Sequence, residues 1–93
     1  MTTLNTRVSV PDKVMFRELQ GESVLLELES GRYFGLNDTG TRMWALLTLH
    51  GQIGPALADL QSEFDAPGER LEKELMGFVD TLAAQKLLEL HES

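Results

Sequence analysis

The 93-residue chain contains no cysteine, only three prolines, and one tryptophan and one tyrosine. Without thiols, neither a disulfide framework nor a thiolate metal site can form, and the composition suits a reducing compartment. No apolar run approaches the roughly 20 residues of a membrane span. The opening MTTLNTRVSVPDK has no apolar core of signal-peptide length, so a cytoplasmic protein with no membrane contact is expected. Basic residues are scarce too. Residues 1–46 hold six acids and five bases, and residues 47–93 hold nine acids and three bases, so six of the seven net negative charges lie in the second half. Such a half repels nucleic acid, since proteins that bind it depend on neutralising phosphates. Only Arg70, Lys73 and Lys86 could do so from the late helices, and Glu69, Glu72, Glu74 and Asp80 surround the first two.

Catalytic patterns are missing as well. His50 and His91 are far apart and neither sits in an HExxH pattern, so His50 reads as a helix-end cation or solvated residue. No serine has a G-x-S-x-G context, and Gly31, Gly35 and Gly40 form neither GxGxxG nor GxxxxGKS. Glu69, Glu72 and Glu74 read as the solvated face of a helix. No metal, cofactor or enzymatic activity is therefore expected.

What is present begins with Val14 to Leu47, which reads as three short strands running into a helix. Two turns, Gln20-Gly21 and Ser30-Gly31, divide it into Val14 to Leu19, Ser23 to Glu29 and Arg32 to Leu36. In the second strand, Val24, Leu26 and Leu28 alternate with Ser23, Glu27 and Glu29, which predicts one apolar and one wet face. Leu25 breaks that alternation and reads either as a lone surface leucine or as part of a contact patch. In the third strand, Arg32, Phe34 and Leu36 point one way, and Tyr33 and Gly35 the other. That strand lies at a sheet edge unless something covers it, and an edge is a place where another chain can pair. Gly35 has no side chain to obstruct an approaching backbone.

Asn37, Asp38 and Thr39 offer capping oxygens for a first helix ending near Leu49, with Met43, Trp44, Leu46 and Leu47 on its core face. A second helix opens at Gly54-Pro55 and reaches Phe64, burying Leu57, Leu60 and Phe64. The third runs from about Pro67 to Gln85, with Asp65 as its expected cap. Its apolar stripe of Leu71, Leu75, Phe78, Val79 and Leu82, with Met76 and Ala83 beside it, is wider than one packing face needs. Either the helix packs on two sides, or part of the stripe lines a groove beside the third strand. Arg7 to Val10 and the terminal LLELHES read as short extended segments. The length supports one α+β domain, residues 1–93 with a core of about 9–90, burying roughly 60 to 65 per cent of its unfolded surface.

The turn Pro11-Asp12, the strand Val24-Leu25-Leu26, GRYFGLN (Gly31 to Asn37), TGTRMW (Thr39 to Trp44) and Phe78-x-x-x-Leu82 together resemble the PqqD-like proteins. These are the leader-peptide recognition domains of pathways that make and modify ribosomal peptides. The free-standing size and the GRYFGLNDTGTRMW segment are most similar to the leader-binding proteins of lasso-peptide biosynthesis, and the resemblance spans about Ser9 to Leu90. It implies a winged-helix-like fold, a three-stranded antiparallel sheet followed by three helices. It also implies that a precursor's leader adds as a strand antiparallel to Arg32 to Leu36, in the cleft facing Leu71 to Leu82. The expected contacts are Arg32, Tyr33, Phe34, Gly35, Leu36, Leu71, Leu75, Phe78, Val79 and Leu82. Bound leader would pass to a separate cysteine protease and an ATP-dependent ring-closing enzyme. The rival readings are a chaperone of another modified-peptide pathway, a subunit that stabilises an enzyme, and a small winged-helix transcription regulator. A basic recognition helix, which the last requires, is missing.

Overall fold

The computed structural model describes residues 2–20 and 22–91; Gly21, expected in the first hairpin turn, and the terminal Glu92 and Ser93 lie outside them. At Pro11-Asp12 the chain reverses, with the Val14 N–H donating to the Pro11 carbonyl at 3.0 Å. It then enters an antiparallel sheet of β2 (Val14–Leu19), β3 (Glu22–Glu27) and β4 (Tyr33–Leu36). The sheet order is β2-β3-β4, so β4 has one free edge. A separate pair, β1 (Arg7–Ser9) and β5 (Glu89–His91), joins the two extended end segments antiparallel. Three helices follow the main sheet: α1 (Asp38–His50), α2 (Ile53–Glu63) and α3 (Gly68–Ala84).

The phase of β3 is the opposite of the sequence expectation, whereas β4 turns Phe34 and Leu36 inward and Tyr33 outward as its alternation predicts. Leu25 is fully buried, whereas Leu28 is 52% exposed and Val24 and Leu26 are only half-buried. Cross-strand register explains the choice. Phe16, Leu25 and Phe34 stand opposite one another in one row, and Phe16 stacks on Trp44 of α1 with ring centroids 6.3 Å apart. Facing that row to the helices leaves Met15, Leu26 and Tyr33 on the outer face, and a one-residue slip would exchange the two sets. The polar residues carried inward with Leu25 are satisfied. Ser23 Oγ and Thr41 Oγ1 are 2.6 Å apart, and the Glu27 carboxylate accepts from the Glu29 and Ser30 N–H groups and from the Ser30 hydroxyl.

Those bonds make Glu27 the clamp of the β3–β4 turn. The Ser30 hydroxyl is the main reason its carboxyl sits below the ordinary range, although burial pushes the other way. A depressed folded-state value stabilises the protein above the unfolded value, and that contribution is lost as pH falls through the folded one. Glu27→Gln should therefore lower Tm at pH 7. The gap from wild type should narrow from about pH 4.3 downward, and a gap independent of pH would assign the effect to packing instead.

The helices follow their local signals. Asn37 caps α1 by accepting the Gly40 N–H at 2.8 Å, and Gly51 closes it in the left-handed conformation at φ 67°. Met43, Trp44, Leu46 and Leu47 are buried, as the periodicity predicts. α2 starts at Ile53, just before the expected Gly54-Pro55, because the N-terminal segment takes its first free N–H groups. Ile53 donates to the Thr6 carbonyl and Gly54 to that of Leu4. His50 Nε2 meets Asp59 Oδ2 at 2.7 Å, tying the end of α1 to α2. Asp65 does not cap α3. Pro67 holds the cap position, and its carbonyl accepts from Arg70 and Leu71.

Candidate functional site

Backbone direction decides what β4 offers to a partner. The Glu27 N–H donates to the Arg32 carbonyl at 2.8 Å, so Arg32 faces β3. Antiparallel partners alternate between bonded and non-bonded pairs, which makes Leu25–Phe34 and Ser23–Leu36 the bonded ones. The N–H and C=O groups of Tyr33 and Gly35 therefore point to the free edge. Their side-chain face is open too, since Tyr33 is 76% exposed and a Cβ added at Gly35 would meet nothing within 4 Å.

Beside this edge, β4 and α3 flank an open groove of about 450 Å³ lined by Phe34, Asn37, Thr39, Gly40, Met43, Glu74, Gly77, Phe78 and Thr81. Glu74, Gly77, Phe78 and Thr81 fall at i, i+3, i+4 and i+7, one stripe of the helix. Leu71, Leu75, Val79 and Leu82 form the neighbouring stripe, and all four are at most 2% exposed within the core. Of the α3 side chains expected around the peptide, Phe78 alone reaches the groove, half-buried and packed at its inner edge against the core. Leu36 is likewise a core residue, whereas Arg32, Tyr33 and Phe34 line a second, smaller depression of about 60 Å³ with Glu27, Gln85 and Leu87.

Two glycines border the groove. A Cβ on Gly40 would crowd Asn37 Oδ1 at 3.3 Å and would meet Phe78 Cε1 at 3.5 Å, an ordinary contact, so Phe78 packs directly against this point of α1. Gly77 is the reverse case, because nothing lies within 4 Å of a Cβ placed there. Glycine inside a helix costs about 1 kcal/mol relative to alanine. A residue that sterics do not require, in the wall of a groove, keeps that wall low. The apolar pattern of α3 could not reveal Gly77 and Thr81, which carry no hydrophobic signal; their places three residues after Glu74 and Phe78, on the same helix face, could.

A three-stranded antiparallel sheet followed by three helices, with its β4 edge beside a groove, defines the class of small α+β folds to which the chain belongs. Residues 22–88 match the family model "Coenzyme PQQ synthesis protein D (PqqD)", and the chain belongs to that family, as a PqqD-like recognition element. No curated protein matches it. Among solved structures it is similar to "TbiB1 in Complex with the TbiA(beta) Leader Peptide", with a TM-score of 0.80 and 32% identity over 86% of this chain and 93% of that one. It also shares its fold with "Lasso peptide synthetase B1 complexed with the leader peptide", with a TM-score of 0.81 and 20% identity over 89% of this chain and 98% of that one.

Proposed function

We propose that residues 1–93 act in the cytoplasm as one non-catalytic recognition unit. It binds the leader of a ribosomally made precursor, of the lasso-peptide kind, as a strand antiparallel to β4. The observation that carries this reading is the free β4 edge beside a groove whose α3 wall is kept low by Gly77. Backbone groups of Tyr33 and Gly35 give affinity, each bond contributing on the order of 1 kcal/mol net. Apolar leader side chains entering between Phe34 and Phe78 give selectivity. The 32% identical neighbour, solved with a leader peptide, supports the same assignment. Bound leader is then presented to a separate cysteine protease and an ATP-dependent ring-closing enzyme.

Gly77→Leu tests the groove directly. Leucine is a good helix former, so Tm should hold or rise, while the added side chain fills the space a leader residue needs. The readout is fluorescence anisotropy with the labelled leader of a precursor encoded beside this chain. An affinity loss of at least about tenfold, roughly 1.4 kcal/mol, is expected. Unchanged binding to this variant would place the leader elsewhere on the surface.

A further inference from the structure

We infer that the bound peptide carries an acidic side chain at the C-terminal end of its paired segment, held by Arg32 and Lys86. The inference rests on the peptide-binding reading above and adds a chemical direction to it. β4 runs from Tyr33 to Leu36, so an antiparallel strand ends beside Arg32. There an open depression of about 400 Å³ is lined by Lys13, Glu27, Glu29, Ser30, Arg32, Ala84 and Lys86. It gathers three of the eight bases of an acidic chain. Both acids in it are engaged, Glu29 by Lys13 at 3.3 Å and Glu27 by its own turn. Among the described residues, Arg32 and Lys86 have no ion-pair partner.

The backbone at Lys86 is an independent observation pointing to the same place. α3 closes with Lys86 N–H on the Ala83 carbonyl and Leu87 N–H on that of Leu82, the double bond pattern of a Schellman motif. The residue between the two bonds adopts φ 62°, where glycine is ordinary and a lysine is strained. Closure of the helix does not call for a lysine. As a lining residue of the depression at the end of the cleft, a lysine does have a use there. At the other end of β4 the groove holds Glu74 instead, whose carboxylate meets Arg70 Nε at 3.3 Å. The unpaired bases thus lie at the Arg32 end of the cleft alone, and a peptide lying in the reverse direction would set its acid beside an already paired carboxylate, away from both.

The test is a displayed library of random dodecamers panned on the immobilised protein. Enriched sequences should place Asp or Glu on the C-terminal side of their apolar residues. Changing that acid to its amide in a synthetic enriched peptide should weaken binding about fivefold, the sum of small exposed charge contributions, and the difference should vanish near 0.5 M salt. Lys86→Gly should raise Tm by about 4 to 8 °C and yet halve or abolish the preference for the acid. Arg32→Gln should weaken the preference without that rise. Peptides that bind wild type, fail on Gly77→Leu and show no charge order would overturn the charged end while leaving the groove reading intact. Acids enriched on the N-terminal side would overturn the direction. No enrichment at all would overturn both.

Discussion

Gly35→Pro is expected to cut leader affinity at least about tenfold while leaving the chain folded. Proline removes the outward N–H of residue 35 and puts its ring carbon where that hydrogen would meet a leader carbonyl. One lost bond is worth about 1 kcal/mol. The ring also holds the incoming strand away from the Tyr33 groups next to it, which takes the total past the 1.4 kcal/mol of a tenfold change. The fold should tolerate the change because the lost donor faces away from β3. Edge strands accept proline in that orientation, and Phe34 before it is already extended, as a residue preceding proline prefers. Space is available around residue 35. Circular dichroism and anisotropy on the same preparation check both halves. Gly35→Ala is the control, since its methyl stands on the sheet face and leaves the N–H free. Equal binding by the proline variant would mean that the leader does not add to β4 as a strand.

Much of this architecture was legible in the sequence, because local chemistry carries it. The Pro11-Asp12 turn, the Asn37 cap and the 3.6-residue spacing of Met43, Trp44 and Leu47 each act over a few residues. The strand β4 and its free edge follow from turn positions alone. The phase of β3 did not follow, because Ser23 and Glu27 look like surface residues until Thr41 and the Ser30 turn supply their partners. Burial there depends on hydrogen bonds to other elements, and periodicity does not record those. The pairing of β1 with β5 unites residues 80 to 84 positions apart, and each segment is three residues long, too short for a periodic signal. The groove was half legible. An over-wide stripe on α3 pointed to it, but the stripe mixes two adjacent faces, and only contact with the rest of the fold separates them.

Two residues on that cleft break local rules in the same manner. Gly77 weakens the middle of a helix, and Lys86 takes a backbone conformation that suits glycine, each at about 1 kcal/mol. Exchanging their kinds, leucine at 77 and glycine at 86, should stabilise the protein at both sites. Breaks of local rules are expected at functional sites. Both residues border the path proposed for the leader, one where a side chain would obstruct it and the other where a charge would anchor it.

Leu75→Ala and Phe78→Ala should fail in opposite ways, although the residues are adjacent along the stripe. Leu75 is 1% exposed among core residues, so truncating it leaves a cavity and costs about 2 to 5 kcal/mol, lowering Tm by more than about 8 °C in a domain of this size. Measured well below its midpoint, that variant should bind leader within about threefold of wild type, because nothing facing the groove has changed. Phe78 presents part of its ring to the groove and rests the remainder against α1 and the core. Its truncation exchanges less buried surface for water, and a stability loss of about 1 to 3 kcal/mol is expected. The leader, however, loses the apolar wall it packs against, and affinity should fall by tenfold or more, the loss typical of an aromatic anchor. Thermal melts and anisotropy on the pair separate the two roles. Should Phe78→Ala lose binding only in proportion to the fraction unfolded, Phe78 would be a core residue like its neighbour, and the wall of the groove would have to be sought at Thr81 and Glu74.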